Sequence, residues 1–271
     1  MSIKRIFSSC FLVLLVMVSR AQQDSSFGLS QRIRGDIVDF SVDNLGNIYL
    51  LSSANQLKKL GPQGDSLAVY NDVRRFGQVY SIDVTNPLKI LVFYREFATV
   101  VMLDRFLHLV NAIDLRSLNI FQARAIGLAY DNNVWIYDEL EGKLKRVGDD
   151  GTLVDQTTDI RQFADPVPEP QSVIDQGGLV YLYDSARGVY NFDYYGAFQK
   201  HLPLTGWRDF NVIDKNLLGW DQHYFFRYHP GNPEIQRQPI PADYLPATKI
   251  IIMPGNIYVL KPNELEIYSR K

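Results

Sequence analysis

The chain has 271 residues, of which 46% are hydrophobic, 21% charged and 13% aromatic. This composition excludes a disordered or low-complexity protein, and the length allows one large domain or two smaller ones. The net charge of −2 argues against the broad basic surface that a nucleic-acid backbone requires, and the single cysteine excludes a disulfide framework or a multi-cysteine zinc site.

Residues 1–21 have the three-part pattern of a secretory signal peptide. Lys4 and Arg5 give a positive start, an apolar run follows, and Ser19 and Ala21 place small residues before a cleavage point. The alternative, a retained membrane anchor, requires about 18 continuous apolar residues, which is more than this run supplies.

Cleavage after residue 21 would leave a mature domain, residues 22–271, that contains no cysteine, because Cys10 precedes the apolar run. Its net charge would be −5, since the removed segment carries three basic residues and no acid. We expect the mature protein to be exported and to be periplasmic, outer-membrane-associated or secreted, with no transmembrane helix after cleavage.

The rest of the chain repeats one short pattern, a turn rich in Asp, Asn, Gly or Pro followed by a β-branched and aromatic run. Asp43–Leu51 and Asp131–Tyr137 are clear copies. Six apolar positions are taken as equivalent, at intervals of 42, 44, 46, 38 and 39 residues: Ile48, Ile90, Val134, Val180, Leu218 and Ile257. A period near forty residues, with four strands in each unit, is typical of a β-propeller.

Each unit also has an apolar run before its turn, and the clearest units have a hairpin after it. In the first unit Ile37–Val42 precedes the turn, and Leu57–Leu60 and Leu67–Tyr70 form the hairpin. Gly, Asn and Asp supply the positive φ angles that tight hairpins need. No long window shows an apolar period of 3.6 residues, so helices should be scarce.

The last unit lacks its fourth strand. Its third run, Glu264–Tyr268, lies close to the last residue, whereas Phe27–Arg34 belongs to no unit. We expect Phe27–Arg34 to supply the missing outer strand, which would close the ring and remove two unpaired edges. The predicted fold is therefore all-β, a six-bladed propeller of four-stranded antiparallel blades whose last blade is closed by the N-terminal strand.

The Asp-x-x-Gly-Asn-Ile-Tyr turn at Asp43–Tyr49, followed by the Leu-Lys-Lys-Leu-Gly-Pro-Gln-Gly hairpin at Leu57–Gly64, resembles the six-bladed propellers of the NHL-like repeat superfamily. The resemblance covers residues 27–271. It implies a rigid, funnel-shaped platform used variously for protein, RNA or sugar contacts and sometimes for catalysis. These motifs specify a blade and not an activity, so no active-site residue is carried over.

The sequence contains no recognisable motif for nucleophilic catalysis, phosphate binding or metal binding, and no cofactor or metal is expected. Asp39 and Asp83 occupy matching inner strands, where two acids facing the channel would suit acid–base chemistry on a sugar. The alternative is that these carboxylates bind backbone groups of the neighbouring blade or water in the channel.

The beginnings of the six inner strands should converge at one mouth of the channel. The candidate binding residues there are Arg124, Arg208, Lys249, Asp36, Tyr80 and Gln171. In one interpretation the three cations form a basic funnel that attracts an acidic group. In the other they are surface cations neutralised by Asp36 and Asp209.

Aromatic residues of the fourth unit give a second binding signal. Tyr190, Phe192 and Tyr194 alternate onto one face of a strand. Packing between blades is the default interpretation, and exposed members would suit a sugar or a protein partner.

Together these features favour a non-catalytic protein-interaction scaffold of the bacterial cell envelope or the extracellular space, which binds its partner at one mouth of the channel. The alternative is a carbohydrate-active hydrolase or lyase, or a sugar-binding propeller, that uses channel acids and aromatic subsites. Nucleic acid is not an expected partner.

Overall fold

A computed structural model of the protein describes residues 27–271. Within this range the strands form six antiparallel sheets of four strands each. In chain order the strands are β1 (Phe27–Arg34), β2 (Asp39–Val42), β3 (Ile48–Leu51), β4 (Leu57–Leu60), β5 (Ser66–Tyr70), β6 (Ser81–Asn86), β7 (Lys89–Tyr94), β8 (Thr99–Asp104), β9 (Leu109–Asp114), β10 (Ala123–Leu128), β11 (Val134–Asp138), β12 (Lys143–Val147), β13 (Leu153–Gln156), β14 (Ser172–Gln176), β15 (Leu179–Asp184), β16 (Gly188–Asp193), β17 (Phe198–Leu202), β18 (Arg208–Ile213), β19 (Asn216–Trp220), β20 (Tyr224–His229), β21 (Asn232–Pro239), β22 (Lys249–Met253), β23 (Asn256–Lys261) and β24 (Glu264–Arg270).

Blades 1 to 5 each use four consecutive strands, beginning with β2, β6, β10, β14 and β18. Blade 6 has the order β22, β23, β24 and then β1, so its outer strand comes from the beginning of the described chain. The first strand of each blade is the inner one, because β2, β6, β10, β14, β18 and β22 contact one another in sequence around the ring. The predicted six-bladed propeller is confirmed.

Helical segments are short. Among residues 27–271 the α-helical segment is α1 (Val73–Phe76), and the 3₁₀ turns are Arg95–Phe97, Leu115–Leu118, Ile160–Gln162 and Ala242–Tyr244. No helix in this range is long and apolar enough to cross a membrane. The predicted signal peptide, residues 1–21, lies outside the described residues.

The strand β1 closes the ring by pairing antiparallel with β24. The register runs from Phe27 opposite Arg270 to Arg34 opposite Glu264. Blades 6 and 1 also share a hydrophobic cluster, in which Tyr258 and other residues of blade 6 pack against blade 1. The strand predicted over Phe27–Arg34 therefore has the predicted bounds and the predicted partner.

The hydrophobic core is a ring of six clusters in the described residues, one at each boundary between neighbouring blades. At the boundary between blades 3 and 4, Trp135 and Tyr137 pack against Val180 and Leu182. Successive side chains of a strand point to opposite faces, and here both faces of each blade are covered. The second strand of a blade, such as Ile48–Leu51 or Val134–Asp138, is consequently an almost continuous apolar run.

The repeated apolar position faces the preceding blade. Ile48, for example, packs against Tyr258 of blade 6. In blade 5 this place belongs to Leu217, which is fully buried, whereas the expected Leu218 is half-buried. Two adjacent leucines satisfy the sequence pattern equally, and the two-residue turn after β18 selects the first of them.

Gly127 lies where the inner strands β10 and β14 approach each other closely. A Cβ atom at this position would lie 2.2 Å from the carbonyl oxygen of Val173 in blade 4. A side chain would force the two strands apart, which explains why blade 3 has no counterpart of Asp83 at the matching position.

Two buried cations join neighbouring blades. Lys59 Nζ donates a hydrogen bond to the carbonyl of Arg105 in blade 2 at 2.9 Å, and Arg146 Nη1 donates to the carbonyl of Tyr194 in blade 4 at 3.3 Å. Each cation also lies over an aromatic ring of its own blade, 5.2 Å and 5.3 Å from the ring centroid. Burial lowers the pKa of Lys59, although nearby acids oppose this effect.

A charged cluster fastens β1 to β24. The nearly buried carboxylate of Glu266 accepts hydrogen bonds from Arg32 Nη2 at 2.6 Å and from the Tyr268 hydroxyl at 2.7 Å, and it pairs with Lys261 Nζ at 2.6 Å. Burial by itself would raise the pKa of Glu266, but hydrogen bonds from Lys261, Tyr268 and Arg32 together lower it to about 2.

We expect acid to weaken this closure of the ring. Glu266 would have a pKa of 4.5 in the unfolded chain, so its stabilising contribution is complete above that pH and is lost as the pH falls toward 2. The shift corresponds to roughly 3 kcal/mol. Glu266→Gln should therefore unfold at lower urea concentration at pH 7 and should lose less stability than the wild type between pH 5 and pH 2.

The matched control is Glu264→Gln, which lies on the same strand with a more exposed side chain. This variant should keep the pH dependence of the wild type. Identical pH dependence for Glu266→Gln and the wild type would contradict the role given to Glu266.

Candidate functional site

The six inner strands enclose a cavity of about 800 Å³ along the axis of the ring. Its lining extends from Gln171, Arg208 and Lys249 at one end to Gln176 and Pro254 at the other. The end at which the inner strands begin is here named the upper mouth, and the end at which they finish the lower mouth. All six inner strands contribute to the lining, so the cavity exists only in the closed ring.

The predicted site residues all lie at or just before the beginnings of inner strands, but they form two sets. Those that line the cavity are Gln171, Arg208 and Lys249. Those that lie on the rim around it are Asp36, Tyr80 and Arg124. The three cations therefore do not all face one space.

Arg124 is bound between two glutamates. Its Nη1 atom lies 2.6 Å from Glu139 Oε1, and its Nη2 atom lies 2.7 Å from Glu169 Oε2. Glu169 precedes the first strand of blade 4, so the arginine links blades 3 and 4. Because two carboxylates already neutralise this guanidinium, its attraction for a further acidic group is weak.

The two cations inside the mouth also have internal partners. Lys249 Nζ pairs with Asp39 Oδ1 of blade 1 at 2.6 Å. Arg208 Nη2 donates to the carbonyl of Thr248 at 2.6 Å, and its guanidinium lies 4.2 Å from the centroid of the Trp220 ring. These contacts hold blade 5 to blade 6 and blade 6 to blade 1.

Asp36, which one interpretation made a counter-ion of the cations, binds its own blade. It accepts hydrogen bonds from Ser53 N at 3.1 Å and Ser53 Oγ at 2.6 Å. Gln171 likewise holds a loop, because its Oε1 atom accepts from Ser185 N at 2.7 Å. Arg124 pairs with glutamates in two loops, and Lys249 pairs with Asp39 of another blade, so sequence spacing did not indicate these pairs.

Asp209, at the upper mouth, combines an uncommon backbone conformation with a raised side-chain pKa. Its backbone is left-handed, with φ of 47°, which is uncommon outside glycine. Its Oδ2 atom accepts hydrogen bonds from Trp220 Nε1 at 2.7 Å and Ile250 N at 2.9 Å. Burial raises the pKa of Asp209, and the charge of Lys249 and these hydrogen bonds offset this effect only in part. A cavity-lining acid with a raised pKa is a candidate for acid–base chemistry.

The two acids singled out in the sequence are both used in contacts between strands. Asp83 Oδ1 accepts from Thr85 N at 2.8 Å, and Asp83 Oδ2 accepts from Leu128 N of blade 3 at 2.7 Å. Asp39 is paired with Lys249. The geometry of Asp83 is that of the alternative interpretation, in which the carboxylate binds the backbone of the neighbouring blade.

An aromatic and cationic group lies on the rim at blade 2. The Arg95 guanidinium lies 4.9 Å from the Tyr80 ring centroid, and its Nη1 atom donates to the Tyr80 hydroxyl at 3.2 Å. The Tyr80 ring packs edge-on against buried Phe93 at 5.8 Å between centroids. Within residues 27–271 no carboxylate lies at ion-pair distance from Arg95.

Other large apolar side chains are exposed on the same side of the ring. They lie in loops that lead into inner strands or join the second and third strands of a blade, so they share the side of the ring that carries the upper mouth. The upper apolar face is defined by the five such side chains on blades 1 to 3, each at least 42% exposed: Val38, Tyr80, Phe97, Phe121 and Leu140. Of these five residues the sequence pattern predicted only Tyr80 as a site residue, because the other four lie outside the aligned beginnings of the inner strands.

Most aromatic residues of blade 4 belong to the core. Tyr190 and Phe192 are buried between blades 3 and 4, and Tyr183 is buried between blades 4 and 5. Tyr195 differs, since 64% of its surface is exposed. Packing between blades is therefore confirmed for the aromatic residues of β16, whereas Tyr195 in the hairpin after β16 faces solvent.

The histidines are dispersed. His108 Nδ1 lies 3.3 Å from Asp104 Oδ2, and the His201 ring stacks on Tyr190 with 4.4 Å between centroids. In the part of the chain that the structure describes, no group of three or more His, Cys, Asp or Glu side chains is arranged to hold a metal ion.

Comparison with known proteins identifies the fold. No protein-family model and no curated protein matches the sequence. Among solved structures, virginiamycin B lyase from Staphylococcus aureus is similar with a TM-score of 0.64 and 10% identity, over 90% of this chain and 99% of that one. The Neurospora crassa Pan2 WD40 domain gives a TM-score of 0.63 and 9% identity, over 90% and 95% of the two chains.

A third similar structure is the extracellular domain of the hybrid two-component system BT3049 from B. thetaiotaomicron. It gives a TM-score of 0.57 and 15% identity, over 86% of this chain but 33% of that one. At these identities the similarities show a shared β-propeller fold alone, because one fold supports many different activities.

The environment of Asp209 gives a testable pH dependence. Asp209→Asn retains an oxygen that accepts from Trp220 and Ile250, and asparagine tolerates a positive φ, but the charge is removed. Because the pKa of Asp209 is raised in the folded protein, the wild type loses stability from this residue as the pH rises above about 4.

Urea unfolding of the wild type and Asp209→Asn at pH 4 and pH 7 measures this effect. The difference in free energy of unfolding should move in favour of the variant at the higher pH. A difference that is unchanged, or that favours the wild type more at pH 7, would contradict the raised pKa.

Proposed function

We propose that this protein is an exported, non-catalytic interaction scaffold of the bacterial cell envelope that binds a protein partner on the upper apolar face, beside the upper mouth. The observation that carries the proposal is the group on blade 2. Tyr80 and Phe97 are exposed there, and Arg95 stacks on Tyr80 with no acidic partner among the described residues. Tyrosine and arginine are the residue types that most often dominate protein–protein affinity.

The blade 2 group is held in a fixed conformation before any partner binds. Tyr80 N donates to the carbonyl of Phe93 at 2.8 Å, and the ring rests on the Phe93 side chain. A rigid aromatic anchor loses little conformational entropy on binding, so more of its contact energy contributes to affinity.

The charges at the upper mouth and on its rim suggest how binding would respond to salt. Arg124 and Lys249 are neutralised by their own glutamate and aspartate partners. They would therefore contribute more to the choice of partner than to its electrostatic attraction. We expect apolar and cation–π contacts to supply most of the affinity, with Arg95 as the main charged contributor. Binding should therefore depend only modestly on ionic strength.

Export is proposed from the sequence of residues 1–21 alone. A periplasmic, outer-membrane-associated or secreted location fits a scaffold whose partner is an envelope or extracellular protein. The mass of the mature chain tests export. Signal cleavage would leave Gln22 as the first residue, whereas an uncleaved chain would retain residues 1–21.

Site-specific photocrosslinking in the producing cells tests the docking surface. A benzophenone amino acid is placed at Phe97 or Phe121 on the upper apolar face. Matched controls carry it at Leu45 or Leu88, which are 64% and 63% exposed in turns between first and second strands, on the opposite side of the ring. We expect a discrete protein adduct from the upper positions and none from the controls.

Adding Tyr80→Ala and Arg95→Ala together should reduce the adduct at Phe97 by about tenfold or more, since each anchor of this type contributes on the order of 1–2 kcal/mol. Adducts that form only at Leu45 or Leu88, or that persist unchanged without Tyr80 and Arg95, would show that the upper apolar face is not the docking surface.

A second candidate function, a carbohydrate-active enzyme, has one specific observation in its favour. Asp209 lines the cavity with a raised pKa near Lys249, as a general acid requires. Release of reducing sugar from a polysaccharide panel, abolished by Asp209→Asn in a protein that remains folded, would favour this function over the scaffold.

A further inference from the structure

Three tyrosines form an exposed aromatic surface on the side of the ring that carries the lower mouth, opposite the upper apolar face. Tyr130 lies in the turn after β10, and Tyr194 and Tyr195 lie in the hairpin after β16. The ring centroids of Tyr130 and Tyr194 are 5.6 Å apart, and those of Tyr194 and Tyr195 are 3.8 Å apart. This tyrosine platform spans the boundary between blades 3 and 4.

The platform remains open although large aromatic residues elsewhere in these blades are buried. Tyr130 is 61% exposed and Tyr195 is 64% exposed. Neither ring is needed to fill the core, because Trp135 and Phe192 occupy the interior of the same boundary. Two exposed rings brought together from separate blades make a continuous binding surface.

Carboxylates fix the backbone beneath both exposed rings. Asp175 Oδ2 accepts a hydrogen bond from Tyr130 N at 3.1 Å, and it is itself held by Trp135 Nε1 at 3.0 Å. Asp193 Oδ1 accepts from Tyr195 N at 3.0 Å. The rings are therefore presented on turns with a defined shape, which limits the entropy lost when a ligand binds.

The only cation in contact with the platform, within the described residues, is already paired. Arg146 lies below it, 5.8 Å from the Tyr130 ring centroid, with Asp131 and Asp155 each 3.4 Å from its guanidinium. The side chain of Arg146 is 8% exposed. A ligand on the platform would thus meet no unpaired positive charge.

The remaining polar groups are hydroxyls and carboxylate oxygens. Asp193 Oδ2 has a single side-chain donor, Gln199 Nε2 at 3.2 Å, and so retains the capacity to accept further hydrogen bonds. Sugar hydroxyls donate to such oxygens, whereas phosphates and peptide carbonyls need donors. The apolar face of a pyranose ring also matches a flat aromatic ring.

We propose that the tyrosine platform is a binding site for a neutral carbohydrate, whose sugar rings stack on Tyr195 and Tyr130. Asp193 and the tyrosine hydroxyls orient the sugar by accepting or donating hydrogen bonds at its edge. The site is separate from the upper apolar face, so a glycan and a protein partner can be bound at the same time.

Isothermal titration of the purified protein with cellohexaose, mannohexaose, maltohexaose and a soluble β-1,3-glucan tests the proposal. Polygalacturonate and a proline decapeptide are the anionic and peptide comparisons. At least one neutral glycan should bind, and polygalacturonate should bind more weakly because Asp131 and Asp193 repel it.

Tyr195→Ala should weaken that binding by about tenfold, which is the expected effect of losing one stacking ring. Tyr195→Phe keeps the ring and should retain most of the affinity. Tyr224→Ala is the matched control, since Tyr224 is an exposed tyrosine of blade 5 and its loss should leave the affinity unchanged. A thermal unfolding scan verifies that each variant is folded.

The proposal is overturned if none of the neutral glycans binds, or if only the proline peptide binds. It is also overturned if glycan binding survives both Tyr195→Ala and Tyr130→Ala, or if Tyr224→Ala weakens it equally. None of these outcomes bears on the upper apolar face, so failure here is distinguishable from failure of the proposed function.

Discussion

The pairing of β1 with β24 is the contact on which the rest of the structure depends. It joins strands that are more than 230 residues apart in sequence, and the buried carboxylate of Glu266 holds them through Arg32. Long-range closure of this kind costs chain entropy, which is recovered only when the whole ring of blade boundaries has formed. The salt bridge between Lys249 and Asp39 shows the consequence, because it crosses the boundary that this closure creates.

Closure also determines where recognition is possible. The inner strands are held at fixed spacing, so cations and acids at the upper mouth pair across blade boundaries, as Arg124 does with Glu169 and Lys249 does with Asp39. Charge at the mouth therefore serves mainly to join blades. Among the described residues, exposed aromatic side chains remain on both sides of the ring: Tyr80 stacks with Arg95 on the upper side, and Tyr130 and Tyr195 flank Tyr194 on the lower side.

The sequence predicted the fold well because its signals are local and repeated. The six-fold period located the blades, and the unassigned segment Phe27–Arg34 was identified as the closing strand with its observed bounds. The register within a blade was less certain where the pattern was degenerate, as at Leu217 and Leu218. The requirement for glycine at position 127 arises from Val173 of the neighbouring blade, and sequence spacing does not show this contact.

The sequence predicted where the candidate site lies in the fold, but it did not predict the contacts that its side chains make. The beginnings of inner strands converge as expected, yet the partner of each charged side chain lies in another blade or loop, and sequence spacing does not encode such pairs. Burial of Asp209 depends on β22, and exposure of Tyr195 depends on the hairpin turning away from the core. Alternation along β16 correctly placed Tyr190 and Phe192 inside but carries no information beyond the end of the strand.

The most direct test of this account is the thermal unfolding of a chain that begins at residue 36 and therefore lacks β1. Without its outer strand, blade 6 should be unable to close the ring, and the sharp unfolding transition of the chain that begins at residue 22 should be lost. A synthetic peptide of residues 24–36, added in excess, should restore the transition by pairing with β24. A truncated chain that unfolds cooperatively at the same temperature, with or without the peptide, would contradict the account.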